Sequence, residues 1–194
     1  MGRVKVFDET DALAKAMRLF WRQGYANTSI KQLLSEMNML NGSFYHSFKD
    51  KKTIFLKSLD FYNQKVTYKR QEALAGHDDF SNGIRALFSE IFKTLESKKE
   101  PKGCLIVNSM AEEVLCIDEL KDYLENDFKI FVKFLTERAQ LSIDHKYTTG
   151  QIEAKQLAYI LVTYIQGLFR VSKTATSIKQ LKKQTEYFLC ALDL

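Results

Sequence analysis

Between residues 28 and 51 the apolar positions fall into two helical stripes separated by a short polar reversal. Ile30, Leu33, Leu34 and Met37 follow the i, i+3, i+4, i+7 spacing of one buried face. Thr28 stands ahead of them as an N-cap whose hydroxyl takes up a free backbone N–H. Asn38 sits where the chain must turn, and Asn is the non-glycine residue that best tolerates a left-handed backbone. A second helix opens with Asn41, Gly42 and Ser43. Phe44 and Phe48, four apart, give it one face to lock onto the first. Tyr45, His46 and Ser47 are left on the outer side with Asn41. Leu40 cannot cap this helix, so it begins at Asn41 or frays, a loss of about 1 kcal/mol.

The same reading extends along the chain. Asp8 caps a first helix with Leu13, Ala16, Met17 and Phe20 buried, and Glu9 and Asp11 suit its positive end. Residues 1–7 precede it as a short arm carrying Arg3 and Lys5. Asp50 caps a long fourth helix running past Tyr68 toward Leu74, with Ile54, Phe55 and Leu59 packed under the first three. After a break at residues 76–79 comes a helix with Ile84, Leu87, Phe88, Ile91, Phe92 and Leu95 apolar. Cys104 begins another, and Asp118 caps the next, whose Leu120, Leu124, Phe128, Phe131 and Leu135 are core. The acidic first half of that helix (Asp118, Glu119, Asp122, Glu125, Asp127) either draws a cationic ligand or is a solvated face matching the helix dipole.

A polar loop at residues 144–150 leads to two last helices. The stripe of Leu157, Ala158, Leu161, Val162, Ile165, Leu168 and Phe169 is too broad for a helix packed on one side only. Ile178, Leu181, Phe188, Leu189 and Leu192 form the final one. One proline in 194 residues and no sustained period-two alternation predict an all-α chain. Residues 1–50 read as a three-helix unit and residues 51–194 as a larger helical one.

Charge sharpens this division. Residues 1–52 hold nine Lys/Arg against five Asp/Glu, so +4 of the net +5 lies there. A basic motif-bearing unit fits phosphate binding, as a merely solvated basic surface also would. Small residues opening a helix let its backbone approach a groove, and hydrogen-bonding side chains reach base edges and phosphates. Asn41 and Ser43 suit base edges, Gly42 close approach, and Tyr45, His46 and Lys51 phosphates.

Leu19, Phe20, Gly24, Tyr25, Thr28, Ser29, Gly42, Ser43, Phe44, Tyr45, His46, Phe48 and Lys51 stand at fixed spacings without gaps. This pattern resembles the N-terminal domain of the TetR family of bacterial transcriptional regulators. It departs from the family at Leu40, where a capping Ser or Thr is usual, and at Asn38, where the turn is usually Gly. The resemblance implies a helix-turn-helix DNA-binding domain followed by a helical ligand-binding and dimerisation domain. Thr28, Ser29, Lys31, Asn41, Gly42, Ser43, Tyr45, His46 and Lys51 are its implied DNA-binding residues. It implies a homodimer paired through the last two helices, reading a palindromic operator in double-stranded DNA, since two recognition helices roughly 34 Å apart reach adjacent major grooves.

The C-terminal part of such proteins usually encloses a small-molecule effector. Phe92, Met110, Phe128, Phe131, Tyr159 and Tyr164 are the kind of lining such a site has, and equally the kind of residue an ordinary core has. Residues 103–113, GCLIVNSMAEE, resemble a subgroup that includes regulators responding to reactive electrophiles and oxidants. Cys104 in the first turn of a helix would be an activated thiol with Lys173 as its cationic partner, or else a small buried hydrophobe.

No HExxH, P-loop or nucleophile elbow is present, so no catalytic residue, cofactor or metal site is expected. Cys104, Cys116 and Cys190 form no ligand pair, and an odd count without a signal segment fits a reducing cytoplasm. The most apolar stretch, residues 157–169, is shorter than the ~20 residues of a membrane span. The expected function is ligand-released repression by a homodimer. The alternatives are a DNA-binding protein of this fold controlled by a protein partner, and an enzyme or plain helical scaffold.

Overall fold

The computed structural model describes residues 8–110, 112–147, 151–174 and 176–194, and among them every regular element is a helix. The arm of residues 1–7, with Arg3 and Lys5, lies outside the described residues.

Helix α1 (Glu9–Gln23) starts where Asp8 accepts the Thr10 and Asp11 N–H groups, and it ends at Gly24, whose φ of 82° no β-carbon would favour. Helices α2 (Ile30–Met37) and α3 (Asn41–Phe48) follow, joined by Asn38 in the left-handed conformation at φ 53° and ψ 50°. Helix α4 (Lys51–Tyr62) is capped by Asp50, whose carboxylate accepts the Thr53 N–H at 2.7 Å. That bond holds the Asp50 carboxyl below its ordinary pKa.

Phe20 and Tyr25 meet Phe55 of α4 at 4.9 and 4.8 Å between ring centres, and Trp21 meets Tyr62 edge-on at 4.9 Å. These rings seat α1 and the turn after it on α4. Edge-to-face pairs of this kind contribute about 0.5–1.5 kcal/mol each beyond their burial.

The expected fourth helix does continue toward Leu74, but through a π-turn over Asn63–Thr67 before α5 (Tyr68–Ala75). A π-turn spends one residue more per turn than an α-helix. On an unbroken α-helix the face of Ile54, Leu59 and Tyr62 would go on to Lys69 and Ala73. The extra residue moves it to Arg70 and Leu74, which are the buried ones.

Helix α6 (Phe80–Glu96) crosses α5, and the short α7 (Leu105–Ser109) and α8 (Glu112–Leu115) precede α9 (Asp118–Asp144). Asp118 is not the N-cap of α9. That position belongs to Ile117, without a side-chain bond, and Asp118 lies inside the first turn with Glu119. The acidic face of α9 is largely engaged within the protein: Glu119 pairs with Lys52, Glu125 with Lys121 and Lys129, and Asp127 with Asn63. Helix α10 (Ala154–Val171) lies along α9, and α11 (Ile178–Cys190), capped by Ser177, closes against α6. The buried side chains join into one core running from Ala12 to Leu194. No helix is long and apolar enough to cross a membrane among the described residues.

Candidate nucleic-acid interface and buried cavity

The N-cap of α2 is Ser29, not Thr28. Ser29 Oγ accepts the Gln32 N–H at 3.2 Å, and Gln32 Oε1 accepts the Ser29 N–H at 2.8 Å, a reciprocal box that satisfies two end donors. Thr28 is fully buried, and its hydroxyl donates to the Gly24 carbonyl at 2.6 Å. It joins α1 to α2 and does not face outward with the other expected contact residues.

Helix α3 has no side-chain cap at Leu40, as its residue type requires. Eight residues without a cap do not hold a helix in water. Phe44 and Phe48, both fully buried, supply what the sequence of α3 lacks. Their anchoring fixes the opposite edge: Asn41, Gly42, Ser43, Tyr45 and His46 all point to solvent, as do Ser29 and Lys31 of α2. A β-carbon on Gly42 would touch nothing within 4 Å. Leu40 is 79% exposed at the head of the same edge, an apolar tip among polar groups.

Lys51 is half-buried, its Nζ 3.5 Å from the Ala26 carbonyl and 4.3 Å from the centre of the Tyr25 ring. Burial lowers its pKa from the ordinary lysine value. An ammonium steadied this way would lose little rotamer freedom on meeting a phosphate, the contact expected of it. Lys51→Ala should weaken binding to every DNA sequence alike and make the salt dependence shallower by about one counterion. Anisotropy titrations at several salt concentrations measure this, and an unchanged slope would remove Lys51 from the phosphate contacts.

The second site is a cavity of about 70 Å³ between α5, α6, α7, α9 and α10. Of the expected lining, Cys104, Met110, Phe128 and Phe131 reach it. Phe92, Tyr159 and Tyr164 do not. Phe92 lies on the α6–α11 side beneath Lys182, and Tyr159 is exposed beside Phe128. Tyr164 is stacked on Phe188 at 3.8 Å, with its hydroxyl 3.0 Å from that of Thr185. Each sits on a helix that borders the cavity, but on a flank turned toward another neighbour.

Thr67, Arg70, Asp127 and Gln166 are the polar wall, and none was singled out as a site residue by the sequence reading. The π-turn that brings Arg70 inward leaves no trace in composition, although the acidic run of α9 did include Asp127. Cys104 is 5% exposed and occupies the N-cap position of α7 rather than its first turn. Lys173 is not its partner, because Lys173 Nζ donates to Asn108 Oδ1 at 3.3 Å. The groups beside the Cys104 thiol are the Tyr62 hydroxyl and, beyond it, Arg70. Burial pushes the Tyr62 phenol well above its ordinary pKa, so it stays protonated.

Known proteins share this fold. Residues 12–57 match the model of "Bacterial regulatory proteins, tetR family", and residues 82–188 match "Tetracyclin repressor-like, C-terminal domain". YezE, an HTH-type transcriptional regulator of Bacillus subtilis (strain 168), is 31% identical over 194 residues, spanning the whole of both chains. ComR, an HTH-type transcriptional repressor of Escherichia coli (strain K12), is 33% identical over 93% of this chain and 86% of its own. Among solved structures, a cysteine mutant of the TetR family transcriptional regulator CifR, complexed with 26bp double-strand operator DNA, superposes with a TM-score of 0.90. It is 25% identical and covers 97% of this chain and 99% of that one. With both parts of the chain matched in sequence, and the Phe-anchored α3 presenting its polar edge outward, this protein belongs to the TetR family of bacterial transcriptional regulators.

Proposed function

We propose that this chain is a homodimeric repressor that binds a palindromic operator through α3 and is released by a small molecule taken into the C-terminal cavity. Residues 1–50 act as the reading head, and residues 51–194 sense the effector and pair the subunits. The observation that carries the reading is the exposed edge of α3, Asn41, Gly42, Ser43, Tyr45 and His46, on a helix held from behind by two buried phenylalanines. CifR bound to operator DNA through the same fold supports it, and so does ComR, a repressor similar over most of its length.

Pairing is supported by the outer faces of the last two helices. Ile160 and Val171 of α10 and Tyr187 of α11 are exposed apolar residues, Tyr187 by 64%. The apolar-walled cavity favours a small-molecule effector over control by a protein partner alone, since a partner needs no internal space. The burial of Cys104 favours a molecule bound inside over a solvent-borne oxidant.

Selection of bound sequences from a random DNA library, run with the wild type and with Asn41→Ala and Ser43→Ala, tests the role of α3. The wild type should enrich a palindrome, and each variant should relax preference at particular base pairs, by about 1–3 kcal/mol at each. Variants that lower affinity evenly while enriching the same sequence would place base reading elsewhere.

A further inference from the structure

The cavity contains a cation whose hydrogen-bonding capacity the fold leaves largely unused. Arg70 is 6% exposed. Its Nη1 donates to the Tyr62 hydroxyl at 3.4 Å, and its guanidinium lies 5.1 Å from the centre of the Phe169 ring. Nε and Nη2 are buried and have no hydrogen-bond partner among the described residues. A buried charged group with unpaired donors is costly, and an incoming acceptor offsets that cost. Nε–H and the near N–H of Nη2 lie along one edge of the guanidinium and point in parallel. That edge is the fork that matches the two oxygens of a carboxylate.

The surroundings decide what kind of anion fits. Arg70 also borders the open groove on the other flank of α5, but Phe169, under the guanidinium, lines this cavity and not that groove. In that groove Glu90 already pairs with Lys69 and Lys93, and Glu100 with Arg18. Inside the cavity the only carboxylate among the described lining residues is Asp127. It accepts from Asn63 Nδ2 at 2.6 Å and makes no ion pair with Arg70 among the described residues. Burial raises the Asp127 pKa, which lessens its competition for the cation. Thr67 and Gln166 complete the polar wall, and the remaining walls are apolar, with Phe128, Phe131 and Ile165 among them. The volume of about 70 Å³ is roughly half the ~150 Å³ of an engineered apolar cavity that takes up benzene.

We infer that this cavity binds a small monocarboxylate, its carboxylate forked onto Nε and Nη2 of Arg70 and its short apolar body against Phe128, Phe131 and Ile165. The inference names the effector class for the release step proposed above and rests on that reading only for its effect on DNA. The site touches the DNA-binding part directly, because Tyr62, which receives the Arg70 bond, also meets Trp21 of α1 at 4.9 Å. An anion that draws the guanidinium away from Tyr62 acts on a residue packed against the head.

The test is calorimetric titration of the full-length protein with sodium acetate, with acetamide as the neutral analogue and formate as the charge without the body. Acetate should bind, acetamide at least about 10-fold more weakly and formate about fourfold more weakly. Arg70→Met should lower acetate affinity about 10- to 100-fold, the range for hydrogen bonds to a charged group. Without ligand it should melt no lower than the wild type, since it removes a buried charge with unpaired donors. Arg70→Lys, which keeps the charge but not the fork, should also lose affinity. Equal binding of acetamide, unchanged acetate binding in Arg70→Met, or no acetate binding by the folded wild type would each overturn the site. Operator titrations with and without acetate separate the two proposals. Arg70-dependent binding that leaves operator affinity unchanged would uphold the carboxylate site and remove its role in release.

Discussion

Gly167→Arg is expected to give a folded monomer whose operator affinity is lower by on the order of 100-fold or more, because one head alone makes too few base contacts. Gly167 lies in the last third of α10, exposed, and a β-carbon there would touch nothing within 4 Å. Glycine inside a helix costs about 1 kcal/mol relative to alanine, and nothing in the single chain needs its smallness. A second α10 crossing close at that point would need it. Ile160 and Val171 lie seven residues before and four after Gly167, so all three share one face of α10. An arginine there should leave the isolated chain as stable as before or slightly more so, while a long charged side chain blocks the crossing. Sedimentation and thermal melting measured together decide it. A Gly167→Arg protein that stays dimeric would move the subunit interface away from this face of α10.

Phe44→Ala should lower stability by about 3–5 kcal/mol and abolish specific DNA binding even in molecules that remain folded elsewhere. The reason lies in what α3 lacks. Leu40 gives it no cap, and eight residues are too few to hold a helix without tertiary contacts. Phe44 and Phe48, with ring centres 5.8 Å apart and both fully buried, therefore carry its docking. Truncating one leaves a cavity under the reading edge and lets Asn41 and Ser43 drift from any fixed register. Denaturant titration gives the stability and anisotropy the affinity. Operator binding within threefold of wild type, despite the lost stability, would detach the docking of α3 from reading.

The parts of this protein written in local chemistry were legible in its sequence. Asp8 and Asp50 as caps, Asn38 as a left-handed corner and Phe44 with Phe48 as an anchor all follow from residue type and spacing. The cap of α2 was legible too but assigned one residue early. Ser29 is followed three residues on by Gln32, the partner that a capping box needs, and Thr28 is not.

The cavity was only half legible, for a different reason. Helical spacing tells which face is buried but not which neighbour that face meets. Phe128 and Phe131 therefore reach the cavity, while Tyr164 stacks on Phe188. Arg70 was hidden more deeply. Its inward position depends on the π-turn at Asn63–Thr67, which shifts the buried face by one residue, and a polar stretch such as TYKRQE shows no sign of it. The inward turn of Arg70 thus follows from a change of helical period that the side chains do not announce.

The most direct test of the account is a titration of the selected palindrome against a duplex with the same two half-sites moved apart by about five base pairs, half a turn of DNA. Two heads fixed by one dimer cannot meet half-sites on opposite faces of the duplex. The spaced duplex should bind at least about 100-fold more weakly, near the level of non-specific DNA. Equal affinity for the two duplexes would mean that each chain reads its half-site alone, and the dimeric reading would be wrong.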